Sequence, residues 1–239
     1  MSGPQCCSNP PTLSSSSGGG HVEELGGLKS YVSGSLDSKH AILLVSDIFG
    51  YEAPKLRKLA DKVAACGFYV VVPDFFLGDP FNPEHSVKPI HDWLKDHGAD
   101  RGFEDAKLVL EAIKSKGISC IGAAGFCWGA KVVVELAKHD YIKAAVLLHP
   151  SFVTVEDIQA VKVPISVLGA EIDKMSPPEL LNKFDSALNE KPEVDAFVKI
   201  FPGVAHGWTV RYEDGDEHAV KSAEEACNDA LDWFGKYLK

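Results

Sequence analysis

Residues 120–138 have the sequence CIGAAGFCWGAKVVVELAK, and this stretch determines the expected fold. Its first six residues are small or apolar, as in a short buried strand, and residues 130–138 have the apolar spacing of a helix. Between them lies the turn Gly125-Phe126-Cys127-Trp128-Gly129. A sharp strand-to-helix turn flanked by glycines is the setting of a nucleophile elbow, in which the middle residue carries the nucleophile.

The chemistry of this turn depends on Cys127. The flanking glycines let the strand and helix approach closely, and the strained middle residue is held with its side chain above the sheet. The N-terminus of the following helix favours a thiolate over a free thiol, whose pKa is roughly 8.5. Cys127 is therefore a candidate nucleophile, and the alternative is a glycine-lined packing turn with a buried cysteine.

Outward from the turn, strand-like and helix-like segments alternate. Predicted strands cover residues 41–45, 68–72, 120–125, 144–148, 165–169 and 194–200. Predicted helices cover residues 54–66, 103–116, 130–138, 180–188 and 219–238, and a loop covers 74–89. Alternation of this kind predicts an α/β fold with a mainly parallel central sheet and helices on both faces. Ligands bind such sheets in the loops at the carboxyl ends of the strands, so the site is expected there.

A nucleophile elbow is followed in the chain by an acid and then by a histidine. Asp173 follows the fifth predicted strand, and His206 follows the sixth, at the same sheet edge as Cys127. This order predicts a triad in which Cys127 attacks an ester carbonyl, His206 moves the proton and Asp173 fixes the histidine tautomer. Asp173 and Glu171 could instead be surface acids. His149 is a rival base, but it precedes the acid, which is the wrong order.

Two backbone N–H groups are the expected oxyanion donors, those of Trp128 and of Ile48 in the loop after the first core strand. The neighbouring Asp47 could hold or polarise the resting thiol, or it could only cap the next helix. Aromatic side chains are the expected pocket walls, with core packing as the alternative for each: Tyr51, Phe75, Phe76, Phe81, Trp128 and Trp208.

Several separate motifs resemble those of the dienelactone hydrolase family. In this sequence they are Asp47-Ile48-Phe49-Gly50, Val72-Pro73-Asp74, Gly125-Phe126-Cys127-Trp128-Gly129, Asp173 followed by Pro177, and His206-Gly207-Trp208. The resemblance covers the chain from about residue 21 to the end. It implies an α/β-hydrolase fold, no cofactor, no metal, and hydrolysis of lactones or activated esters. By position it implies the nucleophile Cys127, the acid Asp173, the base His206, the oxyanion donors Ile48 and Trp128, and an acidic residue near the cysteine at Asp47.

The sequence departs from bacterial members of that family at the groups that bind a substrate carboxylate. Those members use two arginines, one of them shortly after the Pro-Asp strand end, where residues 74–79 contain none. The other lies just after the histidine, where Arg211 is present one residue further along. A clamp reduced to one charge should select a carboxylate less strongly. The sequence is more similar to the eukaryotic carboxymethylenebutenolidase-like branch, so dienelactone is not the substrate that we expect.

Composition and charge limit the class of partner. The 239 residues include 34 acidic and 24 basic side chains, for a net charge of −10. This balance argues against nucleic acid or an anionic membrane as the main partner. The sequence has no apolar N-terminal signal and no uncharged run of membrane-spanning length, so a cytosolic protein is expected. The expected partner is a small ester or lactone, and the expected state is a monomer or weak homodimer.

Residues 1–20 are rich in Ser, Gly and Pro, which predicts a flexible tail before a single domain at 21–239. Cys6 and Cys7 in this tail could bind metal or become lipidated, but such a pair is usually incidental. Cys66, Cys120 and Cys227 are expected to be small buried hydrophobic residues.

Three classes of function stay open. The leading hypothesis is a cysteine-dependent esterase or lactonase. Some plant relatives carry a β-glucanase label, but glycoside hydrolysis needs two carboxylates around a sugar-sized cleft, and no motif marks such a pair. The third class is a non-hydrolytic binding or redox-sensing protein that uses Cys127 as a reactive thiol.

Overall fold

An eight-stranded sheet forms the centre of the protein in a computed structural model, which describes residues 4–84 and 88–239. The strands are β1 (His21–Leu25), β2 (Leu28–Ser33), β3 (His40–Val45), β4 (Tyr69–Pro73), β5 (Cys120–Phe126), β6 (Ala144–Leu148), β7 (Ile165–Ile172) and β8 (Ala196–Ala205). Their spatial order is β1-β2-β4-β3-β5-β6-β7-β8. The pairs β1–β2 and β2–β4 are antiparallel, and every pair from β4 to β8 is parallel. The predicted α/β fold is confirmed.

Helices cover both faces of this sheet. They are α1 (Pro54–Ala65), α2 (Ile90–Asp96), α3 (Ala99–Ser115), α4 (Trp128–Lys138), α5 (Val155–Gln159), α6 (Pro178–Asn189) and α7 (Glu217–Tyr237). One apolar cluster contains Val109 of α3, Val133 of α4 and Phe184 of α6. A second cluster contains Leu56 of α1 and Phe234 of α7. Within the described ranges, none of these helices combines the length and the apolar character needed to cross a lipid bilayer.

β3 explains why the central strands are continuous apolar runs. Leu43 belongs to the first cluster and Leu44 to the second, because successive side chains of a strand point to opposite faces. Both faces are covered, so both sets of side chains are apolar. At the carboxyl end of β3, Val45 is paired with Gly125 of β5. This register brings the loop after β3 next to the turn after β5.

The β1–β2 hairpin is absent from the sequence predictions. Leu25 pairs with Leu28, and the two residues between them, Gly26 and Gly27, have φ of 59° and 85°. Positive φ at both positions is the type I′ hairpin turn, which favours glycine. The Gly-Gly pair is a hairpin signal, but the strand before it is short and polar, so the sequence pattern did not predict a strand there.

Smaller differences concern element boundaries. α2 and α5 are additional short helices, α3 begins at Ala99 rather than at residue 103, and β8 runs to Ala205 rather than ending at residue 200. Residues 85–87 of the predicted loop lie outside the described residues. None of these differences moves the sheet edge at which the site was expected.

Residues 4–20 lie against the body of the protein, which differs from the expected flexible tail. The Gly20 N–H donates to the Tyr31 hydroxyl at 2.7 Å, and the Arg57 guanidinium donates to the Ser15 carbonyl at 2.8 Å. Near the start of this stretch, Cys6 is buried. Hydrogen bonds between its backbone groups and the domain account for this placement, rather than an apolar core within residues 4–20. A prediction from composition does not register such contacts.

Candidate active site

The turn between β5 and α4 holds Cys127 in a strained conformation. Its φ is 52° and its ψ is −109°, in a region that L side chains rarely adopt. The Cys127 N–H donates to the Leu148 carbonyl at 3.1 Å, and the Cys127 carbonyl accepts from the Ser151 N–H at 3.0 Å. These two bonds tie the turn to the end of β6. The strain is therefore supported by the neighbouring strand, as in a nucleophile elbow.

Glycines make this turn possible by allowing backbone contact on both sides. A Cβ on Gly125 would overlap the Gly129 carbonyl, and a Cβ on Gly129 would overlap the Val45 carbonyl at the end of β3. Both overlapping groups are backbone carbonyls, which cannot rotate away as a flexible side chain could. The first turn of α4 consequently lies directly against β3 and β5.

The substitution Gly129→Ala is expected to lower the free energy of unfolding by about 3 kcal/mol, because the methyl group meets the fixed backbone of β3. Gly235→Ala is the matched control: Gly235 is an exposed residue of α7, and its added Cβ has no neighbour within 4 Å. That variant should gain about 0.5–1 kcal/mol in helix propensity. Denaturant unfolding measures both, and equal midpoints would contradict the close approach at the turn.

His206 and Asp173 form a buried hydrogen-bonded pair. The Asp173 Oδ2 is 2.7 Å from the His206 Nδ1, and both side chains are fully buried. The second carboxylate oxygen accepts from the backbone N–H groups of Met175 at 2.7 Å and Ser176 at 3.2 Å. These bonds fix the carboxylate, and the carboxylate in turn fixes the ring. Burial is the largest single effect and lowers the pKa of His206, but the hydrogen bonds to Asp173 and Cys6 and the charges of these two groups together raise it more, so the net pKa is raised.

The free ring nitrogen of His206 faces two thiols. The Nε2 of His206 and the Sγ atoms of Cys127 and Cys6 all lie within 4.8 Å of one another. Cys6 Sγ is 3.6 Å from Cys127 Sγ and 4.0 Å from the histidine Nε2. Ser151 Oγ lies 3.3 Å from Cys127 Sγ. The structure thus brings Cys127, His206 and Asp173 together, and it adds Cys6 and Ser151 to them.

The two thiols do not ionise alike. The hydrogen bond with Cys127 lowers the pKa of Cys6 to about 4, against the effect of burial and with help from His206. Burial raises the pKa of Cys127 well above its usual value, and the hydrogen bond with Cys6 raises it further. With Cys6 in place, the hydrogen bond between the two thiols lowers the pKa of Cys6 and raises that of Cys127.

Cys6, Cys127 and His206 form a donor set that could hold a metal ion. Two cysteine sulfurs and one histidine nitrogen, all buried, are ligands of the kind found in catalytic zinc sites. The sequence patterns do not predict this set, because Cys6 lies 121 residues before Cys127 in a stretch with no strand or helix pattern.

Asp47 and Arg211 form a buried ion pair beside the thiols. The Arg211 Nε lies 3.2 Å from the Asp47 Oδ2, and the other Asp47 oxygen accepts from the Phe49 N–H at 3.0 Å. Burial raises the pKa of Asp47, and the charge of Arg211 opposes this shift. The Asp47 charge in turn contributes to the raised pKa of Cys127. Asp47 does not cap α1, whose N-cap is Ala53.

Arg211 is also engaged by the N-terminus, so it is not the free cation expected for a substrate carboxylate. Its Nη1 donates to the carbonyls of Cys6 at 2.8 Å and Ser8 at 2.7 Å. Together with the Asp47 pair, these bonds fix the guanidinium in a buried position. Its charge is already balanced by a carboxylate of the protein.

The two expected oxyanion donors lie at neighbouring positions of the sheet edge. Trp128 is the first residue of α4, and an N–H in the first helical turn has no acceptor within the helix. Ile48 is buried in the loop after β3, where its carbonyl accepts from the Phe81 N–H at 2.9 Å. Because β3 and β5 are adjacent, both N–H groups are placed close to the turn that carries Cys127.

The predicted aromatic pocket walls are mostly packed against one another. Phe76 meets the Trp128 ring edge-on, with centroids 4.9 Å apart, and Trp208 packs against Phe201 at 5.3 Å. Tyr51 lines a groove of about 530 Å³ whose lining does not include the triad. Phe76 and Trp128 thus pack against each other, Trp208 packs beside Phe201 and His149, and Tyr51 faces the groove.

His149 supports His206 rather than replacing it. Its Nε2 is 2.8 Å from the Thr209 hydroxyl, and its ring meets the His206 ring edge-on at 5.0 Å. Burial lowers the pKa of His149 well below its usual value, so the ring is neutral. A neutral ring packed against His206 limits its rotation. His149 and Ser151 both follow β6 at the site edge, which is the signal that could have identified them.

Comparisons with known proteins found a matching family, similar sequences and a similar fold. The model of the dienelactone hydrolase family matches residues 28–238. A Zea mays protein named endo-1,3;1,4-beta-D-glucanase is 43% identical over 196 residues, which are 80% of this chain; the chain spans 63% of that protein's length. A Mus musculus protein named carboxymethylenebutenolidase homolog is 32% identical over 226 residues, 92% of each chain. The solved structure of a putative dienelactone hydrolase from Klebsiella pneumoniae has a TM-score of 0.73 at 18% identity, covering 88% of this chain and 93% of its own.

Proposed function

This chain belongs to the dienelactone hydrolase family, and on that premise we propose that it hydrolyses small lactones or activated esters through a thioester on Cys127. The observation that carries the proposal is the 2.7 Å bond between Asp173 and the His206 Nδ1, in a ring that lies in one buried cluster with the sulfur of Cys127. A base oriented in this way beside a nucleophile is the arrangement that acyl transfer requires.

The proposed reaction has two acyl-transfer steps. His206 takes the thiol proton as Cys127 attacks the ester carbonyl, and the backbone N–H groups of Ile48 and Trp128 stabilise the oxyanion. The carbon–oxygen bond to the leaving group then breaks, and His206 returns the proton to that oxygen. Water attacks the thioester with His206 again as base, which releases the acid and the free thiol. Asp173 stabilises the imidazolium in both steps.

Substrate access requires Cys6 to move. Its sulfur lies 3.6 Å from the nucleophile and 4.0 Å from the base, where the reacting carbonyl must fit. Withdrawal of Cys6 also removes a group that raises the pKa of Cys127. We therefore expect the active form to have the first residues displaced from the site.

The charge around the site supports a neutral acyl group. Asp47 already balances Arg211, and both are buried. A substrate carboxylate would need a free cation, and bidentate recognition would need a properly placed second one. Aryl acetates and small uncharged lactones are therefore the substrates of choice for assay.

Mass spectrometry of the full-length protein with an aryl acetate tests this function. Cys127 and Cys120 lie in the same tryptic peptide, residues 117–131. We expect an acetyl group on this peptide in the wild type and in Cys120→Ser, and no acetyl group on it in Cys127→Ala. Steady ester hydrolysis without such an adduct, or an adduct that survives in Cys127→Ala, would contradict the thioester mechanism.

The similarity to the maize protein supports a second candidate, hydrolysis of β-glucan. That reaction uses two carboxylates around the glycosidic bond. At this site Asp47 is paired with Arg211 and Asp173 with His206, which leaves neither as an obvious acid or nucleophile. Release of reducing sugar from mixed-linkage glucan, undiminished in Cys127→Ala, would favour the glucanase over the esterase.

A further inference from the structure

The first described residues form a plug over the proposed nucleophile. We call residues 4–8 the N-terminal plug; its first four residues, Pro4–Cys7, form one turn of 3-10 helix. The side chain of Gln5 accepts from the Lys174 N–H at 2.6 Å and donates to the Ile172 carbonyl at 3.2 Å. Arg211 holds the plug from the other side through two carbonyls. The plug is thus fixed to the loop that carries the triad acid and to the residue paired with Asp47.

This anchoring aims one side chain of the plug at the site. Cys6 is 1% exposed, and its Sγ lies 3.6 Å from the Sγ of Cys127, which is 0% exposed. A disulfide has a sulfur–sulfur distance of about 2.05 Å, so the two atoms need to approach by roughly 1.5 Å. Cys7 is partly exposed, and its pKa is raised by burial and by the charge of Cys6. The plug therefore presents one thiol to the nucleophile and keeps the adjacent thiol outside.

We propose that Cys6 and Cys127 are a dithiol that hydrogen peroxide oxidises to a disulfide, which locks the N-terminal plug over the site and blocks the nucleophile. The disulfide does not depend on the proposed hydrolysis, whereas its effect on activity rests on that function. The site assigned here is thus a modification site, and its reagent is a small peroxide.

The chemistry balances with peroxide as the two-electron oxidant. The Cys6 thiolate attacks one peroxide oxygen: a sulfur–oxygen bond forms, the oxygen–oxygen bond breaks, and the departing hydroxide is protonated to water. The Cys127 sulfur then attacks the Cys6 sulfur. A sulfur–sulfur bond forms, the sulfur–oxygen bond breaks, and the leaving hydroxide takes the Cys127 proton to give a second water. The two sulfurs lose two electrons, and peroxide gains them.

The position of Cys6 suits it to react with peroxide first. A thiolate is the reactive form of cysteine, and Cys6 lies on the short 3-10 turn Pro4–Cys7, whereas Cys127 lies at the strained turn between β5 and α4. His206 and Ser151 lie 4.0 Å and 3.7 Å from its sulfur, so both can stabilise the negative charge. One 3-10 turn covers this sulfur, and local opening of such a short element admits a molecule as small as peroxide. Cys127 is then already within contact distance to resolve the sulfenic acid.

Peptide mapping of the full-length protein tests the disulfide directly. The protein is treated with hydrogen peroxide in the presence of EDTA, alkylated, digested with trypsin without reductant, and analysed by mass spectrometry. We expect peptide 1–29 to be joined to peptide 117–131. Because these peptides also contain Cys7 and Cys120, the matched controls are Cys7→Ser and Cys120→Ser, which should keep the cross-link, while Cys6→Ser should lose it. A cross-link that persists in Cys6→Ser, or none in the wild type, would overturn the proposal.

The same samples are assayed with an aryl acetate before and after dithiothreitol. Oxidised wild type and oxidised Cys7→Ser should fall to the rate of Cys127→Ala and recover their activity on reduction. Oxidised Cys6→Ser should show no loss of activity that accompanies a cross-link between the two peptides, since Cys127 has no Cys6 thiol with which to pair. A cross-linked wild type that keeps full ester hydrolysis would overturn the blocking role. Cross-linking in a protein that hydrolyses no ester would contradict the proposed function and leave the disulfide standing.

Discussion

Replacing Cys127 with alanine should lower kcat/KM for aryl acetates by roughly 10⁴- to 10⁶-fold, the range seen when a catalytic triad loses its nucleophile. Without the sulfur no thioester forms, and the oxyanion donors can only assist direct attack by water. The side chain is fully buried at a strained turn, so the variant must first be shown to unfold at a denaturant midpoint close to that of the wild type.

Cys227→Ala is the matched control for this variant. Cys227 is also a buried cysteine, but it lies on α7, on the opposite side of the sheet from α4. Its removal should leave kcat/KM close to the wild-type value. Cys6→Ala separates the two thiols of the site, because the lowered pKa of Cys6 makes it a rival nucleophile. Loss of hydrolysis in Cys6→Ala with retention in Cys127→Ala would transfer the nucleophilic role to Cys6.

The sheet and the site edge follow from local sequence patterns. Three features depend only on residues that are close in sequence, so the sequence alone predicts them. They are the continuous apolar strands, the helices with one apolar face and the glycine-flanked turn. The chain order of Cys127, Asp173 and His206 then follows from the connectivity of the fold. The structure places these three side chains at one end of the sheet, with the acid 2.7 Å from the base.

The contacts of Cys6 and Arg211 could not be predicted in this way. Cys6 reaches Cys127 across 121 residues, and no periodic pattern in the polar N-terminus specifies that contact. Arg211 was expected to be a lone cation because its partners, Asp47 and the carbonyls of the plug, are distant in sequence. Long-range pairing of polar groups decides both cases, and it becomes visible only once the sheet has brought the loops together.

On the proposed function, the plug and the substrate compete for one site. A bond between Arg211 and the Cys6 carbonyl favours the plugged form, as do the two bonds of Gln5. A substrate must displace these contacts, so the free energy of holding the plug reduces the apparent affinity for substrate. A disulfide between Cys6 and Cys127 would hold the plug over the site until the disulfide is reduced.

The variant Asp173→Asn should lower kcat by about 10⁴-fold, because an amide does not stabilise the imidazolium and favours the wrong histidine tautomer. Asp157→Asn is the matched control. Asp157 is also a buried carboxylate, paired with Lys131 at 2.7 Å and Lys138 at 3.0 Å, but it lies on α5 away from the triad. Its loss should lower stability and leave kcat/KM close to wild type. Equal losses of activity in the two variants would mean that Asp173 acts only through folding.

The dependence of stability on pH provides a second readout for Asp173. In the wild type, burial lowers the pKa of His206, but the hydrogen bonds to Asp173 and Cys6 and the charges of both groups together raise it more, so the folded pKa exceeds the unfolded value of about 6.5. Protonated His206 therefore stabilises the fold fully below about pH 6.5, and this contribution is lost as pH rises through the folded pKa. In Asp173→Asn the hydrogen bond and the charge of Asp173 are lost, so the folded pKa of His206 is lower than in the wild type. Near neutral pH, the unfolding free energy of this variant should fall less steeply with rising pH on account of His206, and the acid limb of its kcat/KM profile should move to lower pH. An unchanged limb and an unchanged pH slope would show that Asp173 does not control the protonation of His206.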